Sequence, residues 1–186
     1  MIREIRTERM HLRPLVEADR VEFVRVHTAG AEFFRRWFPA REKSLEAIFE
    51  EDLEKSRREE RYLRLVGETA DGRLSGFFNL NEIVRGVFQN AYASWSVAAE
   101  LAGQGYGTEG TRGLLDLAFS ERGLALHRVQ ANIIPSNEAS LRLAEKVGMR
   151  REGLAERYLK IAGQWQDHVM YAKTAEEHEI RYLVEG

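Results

Sequence analysis

The chain has 186 residues, with 28 Lys and Arg against 30 Asp and Glu, a net charge of −2, and 44% hydrophobic residues. Those values fit a single domain with a packed core over residues 1–186, and they provide no basic field to hold a polyanion, so no nucleic-acid partner is expected. There is no cysteine, which excludes disulfides, thiol nucleophiles and thiolate-bound metals; with no apolar run near the ~18 residues of a membrane span and no signal-peptide core, a cytoplasmic protein without a membrane association is expected.

In chain order, Met10 to Leu15 reads as a short strand stopped by Pro14. Asp19 to Thr28 reads as a helix with Val21, Val24 and Arg25 on one face. An aromatic cluster follows, Phe33, Phe34, Trp37 and Phe38, with Arg35 and Arg36 inside it. Ser44 is an N-cap candidate for a helix to about Glu60, with Leu45, Ile48, Phe49, Asp52 and Leu53 near its inner stripe. The period then changes to two. Tyr62–Val66, Leu74–Ile83 and Ala91–Val97 read as three strands joined by turns at Asp71-Gly72 and Arg85-Gly86, an antiparallel meander. A helix from Thr108 to about Glu121 follows, with Leu114, Leu117 and Ala118 on one face and Gly123 just past its end. His127–Ile134 is a strand, and Asn137 caps a helix that stops at Gly148. Arg151–Ile161 and Gln164–Thr174 form a last hairpin around Ala162-Gly163. The order β-α-α-β-β-β-α-β-α-β-β defines an α+β domain.

Between the third meander strand and the following helix stands Ala102–Gly110, AGQGYGTEG, with four glycines in nine residues. It satisfies G-x-G-x-x-G, but its context excludes a dinucleotide-binding fold. The preceding strand alternates and belongs to a meander, and Gln130, Ala131 and Asn132 stand where an acid should hold a ribose. A phosphate loop of the Lys-Ser/Thr kind is also excluded, because neither pair follows the glycines. The electrostatics remain: a helix N-terminus presents unpaired N–H groups, and glycines let the backbone close around an anion such as a pyrophosphate.

The run Gln104-Gly105-Tyr106-Gly107-Thr108-Glu109-Gly110 resembles the acetyl-CoA signature Q/R-x-x-G-x-G/A of the GNAT acetyltransferases. Asn137 to Met149 is similar to the N-x-x-[AS]-x-x-L-[Y]-x-K-x-G-[F] segment of the same family, with Ala144 at the tyrosine position and Met149 at the last. The resemblance implies a mixed, mostly antiparallel sheet with a splayed strand pair, flanked by about four helices, and acetyl-CoA as cosubstrate. It implies that Ser96 and Val97 meet the pantetheine arm and that Gln104, Gly105, Tyr106, Gly107 and Thr108 surround the pyrophosphate. Asn137 and Ser140 would then lie beside the CoA arm, while their plainer roles are a helix cap and a small residue on an apolar stripe. Asn79 to Tyr92, Glu152 to Val169 and the opening Thr7 to Leu15 further resemble the RimJ- and RimL-type enzymes, which acetylate the N-terminal α-amine of ribosomal proteins. The acceptor implied is the N-terminal peptide of a protein, and a homodimer is compatible with the family.

The implied reaction is direct attack of a neutral amine on a thioester. An α-amine titrates at ~7.7–8.0 and a lysine at ~10.4, so an α-amine costs about 3.4 kcal/mol less to deprotonate. The backbone N–H of Val97 or its neighbour is expected to stabilise the oxyanion. Glu82 is the first candidate base, with Asp167, His168 and a water chain as alternatives. Many members of the family protonate the thiolate with a tyrosine where this chain has Ala144; Ser140, one turn earlier, is the substitute considered, ahead of Tyr92 and Tyr158. The region holding the aromatic cluster covers the acceptor groove in this family, and Arg35, Arg36 and Arg85 are candidates to meet the peptide. Two other functions stay open: transfer to a small amine (polyamine, antibiotic or amino acid), and a CoA-binding module without turnover.

Overall fold

A computed structural model describes residues 3–32, 43–58, 60–161 and 163–182. Eight strands, β1 (Ile5–Arg6), β2 (Met10–Pro14), β3 (Leu63–Thr69), β4 (Leu74–Val84), β5 (Asn90–Val97), β6 (Arg128–Ile133), β7 (Arg150–Ile161) and β8 (Gln164–Thr174), form one sheet in the order β1-β2-β3-β4-β5-β6-β8-β7. Every neighbouring pair is antiparallel except β5 and β6. Four α-helices lie among the described residues: α1 (Arg20–Ala29), α2 (Leu45–Arg57), α3 (Tyr106–Phe119) and α4 (Glu138–Lys146). The expected α+β architecture is present, and β1 is a strand that the sequence pattern missed because it has only two residues.

Local chemistry explains most boundaries. Ser44 caps α2 by accepting from Ala47 N at 3.2 Å, and Asn137 caps α4 by accepting from Ser140 N at 3.2 Å. Gly72 and Gly163 take the left-handed conformation in their hairpins, at φ 80° and 81°, and Gly148 does so after α4, at φ 75°. Ala162 lies outside the described residues. Gly123 serves differently from the expected helix cap. A Cβ there would stand 2.1 Å from the Leu117 carbonyl oxygen, so glycine is needed for close approach rather than for a left-handed turn. The predicted face of α1 is also corrected: Phe23 and Val26 are buried, while Val21 is 81% exposed.

The sheet has a core on each face. Under α3 and α4, Phe78, Leu80, Ala91 and Ala93 pack with Leu114, Leu117, Val129, Ala131 and Ile133. On the other face α1 and α2 bring Phe23 and Phe49 onto Val66, Leu74 and Phe77. Alternation along the strands assigns the remaining residues to faces. Since Phe77 pairs with Ser96 and Asn81 with Tyr92, the even-numbered residues of β5 share the α1/α2 face. Since Ile133 pairs with Val169 and Ala131 with Tyr171 in the α3/α4 core, Asn132 and His168 also point to the α1/α2 face.

Candidate active site

β5 and β6 pair only at Asn90–Arg128, Ala91–Val129 and Tyr92–Gln130. Beyond Tyr92, β5 stays tied to β4 as far as Val97, while β6 stays tied to β8 as far as Ile133. The two strands therefore part, and a cleft of about 440 Å³ opens between them. Ala98 N donates to Ser75 O of β4 at 2.8 Å, so strand alternation turns the N–H groups of Val97 and Trp95 toward the open side.

The glycine-rich segment closes one end of the cleft. Gly103 (φ 77°) and Gly105 (φ 90°) are left-handed, which bends the chain into the first turn of α3. The first helical hydrogen bond runs from Glu109 N to Gly105 O at 3.0 Å, and the N–H groups of Gly105, Tyr106, Gly107 and Thr108 have no partner among the described residues. These free donors at the positive end of a 14-residue helix fit a pyrophosphate. The other two glycines are required by the protein itself. A Cβ on Gly107 would lie 3.0 Å from Leu143 Cδ1 and 3.1 Å from Val97 Cγ2, and one on Gly110 would lie 2.2 Å from Phe78 Cζ.

A polar latch that the sequence reading missed holds this segment. Glu109, 6% exposed in the first turn of α3, accepts from Thr7 Oγ1 (2.6 Å), Arg9 N (2.7 Å) and Arg9 Nε (2.6 Å). Burial pushes the Glu109 carboxyl up, but those donors outweigh it and hold the group below the usual carboxylate range. Arg9 Nη1 donates to Gln104 O at 3.0 Å, and its guanidinium lies 4.2 Å over the Tyr106 ring. An acid in the first turn of a helix was the sequence signal, though only the fold brings Thr7 and Arg9 to it.

Among the expected cofactor contacts, Ser96, Val97, Gly105, Gly107, Thr108, Asn137 and Ser140 line the cleft. Gln104 and Tyr106 do not: the Gln104 side chain donates to Glu100 O at 3.0 Å, and the Tyr106 ring lies under Arg9. Ala144 is wholly buried, so a substitute for the missing tyrosine must come from another position, and Ser140 on the same helix reaches the cleft.

Glu82, the first candidate base, has partners of its own. It sits in a bulge of β4 at φ 47°, away from the cleft lining, and its carboxylate takes hydrogen bonds from Arg61 and, at 2.9 Å, from the Tyr62 hydroxyl. Arg61 first and Tyr62 second hold it below the usual range, which makes it a weaker proton acceptor. Asp167 is occupied by Arg157 N at 2.8 Å. His168, 3% exposed, does line the cleft. The aromatic residues Phe33, Phe34, Trp37 and Phe38, with Arg35 and Arg36, lie outside the described residues. Arg85 donates to Leu124 O, away from the cleft.

A sheet parted between two parallel strands, with free amide donors at one mouth of the gap, fits a cosubstrate that carries phosphates on an extended arm. The particular family follows from comparison: the sequence profile of the acetyltransferase (GNAT) domain matches residues 9–150, and the chain belongs to that family. GNAT acetyltransferases use acetyl-CoA, and this protein is an acetyl-CoA-dependent N-acetyltransferase. It is 32% identical over 172 residues, 88% of this chain and 92% of the relative, to the probable N-acetyltransferase YjcK of Bacillus subtilis. It is 35% identical over 99 residues, 53% of this chain and 50% of the relative, to the ribosomal protein uS5-alanine N-acetyltransferase of Escherichia coli. Its fold matches Mycobacterium smegmatis RimJ in complex with CoA-disulfide at a TM-score of 0.83, with 28% identity over 95% of this chain and 88% of the other.

Proposed function

We propose that the protein acetylates the N-terminal α-amine of a polypeptide, with a ribosomal protein as the acceptor class. The observation that carries this reading is the charge of the cleft: its lining contains Arg142 and Lys146 and, among the described residues, no carboxylate. A polyamine carries several positive charges and needs carboxylates to hold them, whereas a peptide N-terminus brings one amine that is already partly neutral near pH 7. The similarity to the E. coli enzyme supports the same acceptor class.

In this reading the free amides of Gly105–Thr108 hold the CoA phosphates, and Gln104 and Tyr106 shape that loop through Arg9. The strand backbone at Ser96 and Val97 flanks the pantetheine, and the Val97 N–H supports the carbonyl oxygen as it gains charge. Asn137 fixes the start of α4, and Ser140 delivers a proton toward the leaving sulfur. Ser140→Ala is expected to lower turnover at saturating acetyl-CoA at least tenfold, within the range for a positioned proton donor. Unchanged turnover would make Ser140 a packing residue.

The experiment for the reading uses acetyl-CoA with three acceptors: peptides with free N-termini and no lysine, N-blocked peptides with internal lysines, and spermidine. CoA thiol release and product mass are followed. Modification of the first pool alone is the expected result. Transfer only to lysine or spermidine would replace the reading, and acetyl-CoA binding without transfer to any amine would favour a CoA-binding module.

A further inference from the structure

Resting on that reading of the acceptor, we propose that His168 is the proton acceptor for the attacking amine, through its Nε2, and that Asn132 Oδ1 orients that amine on the α1/α2 face of the sheet. His168 Nδ1 lies 3.0 Å from Gln166 O. A carbonyl oxygen can only accept, so Nδ1 carries a proton, and in the neutral ring the lone pair is then on Nε2. Nε2 has no hydrogen-bond partner among the described residues, and His168 lines the cleft. Asn132 points to the same face from the neighbouring strand, within diagonal reach of His168. Its Nδ2 donates to the Tyr158 hydroxyl at 3.1 Å, while its Oδ1 is buried without a partner among the described residues.

Such an orphaned acceptor beside a cleft is open to a donor on a bound molecule, and an ammonium or amine supplies one. Tyr158 closes the cluster. Its ring stands edge-on to His168 with centroids 5.6 Å apart, and burial, then the neighbouring Tyr92, raise its hydroxyl above the ordinary tyrosine value. Tyr158 therefore stays a neutral hydroxyl, accepting from Asn132, and adds no charge beside an incoming amine. The α3/α4 face carries the phosphate-binding amides, so acetyl-CoA and amine meet in the gap from opposite faces. The amine lone pair makes the new C–N bond at the thioester carbonyl carbon, and the C–S bond breaks with its electron pair on sulfur. The proton lost from nitrogen goes to Nε2, and a separate proton reaches the thiolate.

Two measurements test the assignment. In the first, His168→Gln keeps a hydrogen-bonding side chain but has no basic nitrogen; CoA affinity by calorimetry is expected to stay within threefold, while single-turnover transfer to a peptide α-amine falls about a hundredfold. Single-turnover transfer at the wild-type rate overturns the proposal, and so does a loss that follows entirely from weaker CoA binding. The second uses the wild-type protein with nitrogen-15-labelled histidine, which covers a variant that does not fold. The His168 ring is expected as the Nδ1–H form, with an Nε2 resonance that moves on adding a free-amine peptide and stays in place with its N-acetylated twin. An Nε2–H ring, or one indifferent to the peptide, overturns the proposal. If the wild type acetylates another amine class, the α-amine reading falls, and the same variant comparison on that amine still decides His168.

Discussion

Replacing Glu109 by alanine is expected to lower unfolding free energy by about 2–3 kcal/mol and to raise the KM for acetyl-CoA about tenfold, with a smaller change in kcat. Its carboxylate gathers the Thr7 hydroxyl, the Arg9 amide and the Arg9 guanidinium, and it stands where a helix N-terminus favours an anion. Without it the buried donors lose their acceptor, a loss softened because the Arg9 side chain is 43% exposed and can reach water. The functional effect follows from the second half of the latch, since Arg9 also ties the Gln104 carbonyl and covers Tyr106, the residues that frame the free amides. Denaturant titration and steady-state kinetics check the two halves separately. Lost stability with an unchanged KM would confine Glu109 to the fold. The pH dependence has a fixed sign. The folded-state value of Glu109 is depressed, so its contribution is complete above the unfolded carboxylate value of about 4.3 and disappears as pH falls through the folded one. Below about pH 4.3 the wild type is expected to lose stability more steeply than Glu109→Gln.

Gly110→Ala is expected to destabilise the protein by about 3 kcal/mol, although alanine ordinarily favours a helix interior. The added Cβ would stand 2.2–2.6 Å from ring carbons of Phe78, which is 0% exposed and cannot swing into solvent. Either α3 moves off β4 or the ring is forced from its site. A double-mutant cycle checks this: Gly110→Ala with Phe78→Leu should cost less than the sum of the singles, because the smaller side chain returns the space. Additive losses would mean that the helix absorbs the methyl group by another route. Displacement of α3 would also shift the free amides, so a matching rise in the KM for acetyl-CoA is expected.

The glycine-rich segment shows how far a linear reading reaches. Four glycines around the start of a helix pointed to an anion, and the free N–H groups of Gly105–Thr108 fit that inference. The pattern did not separate Gly103 and Gly105, which need positive φ, from Gly107 and Gly110, which need room for Leu143, Val97 and Phe78. Periodicity likewise located α1 and misassigned its buried face, because a 10-residue helix with weak amphipathicity is oriented by the rings of Phe49 and Phe77 against Phe23. Glu82 read as a strand-end carboxylate free to act. The bulge that turns it toward Arg61 and Tyr62 depends on pairing between β4 and β5, which no local window records.

The sequence by itself determined the order of elements, the Ser44 and Asn137 caps, the left-handed turns at Gly72, Gly148 and Gly163, and the family, because each is carried by contiguous residues and short-range hydrogen bonds. Only the tertiary structure decided where β5 leaves β6, that Glu109 meets Thr7 and Arg9 across about a hundred residues, and that Asn132, Tyr158 and His168 stand together on one face. The physical reason is that strand register and helix docking are set by burying the apolar residues of the whole chain at once, and polar side chains on the opposite alternation are brought together as a consequence.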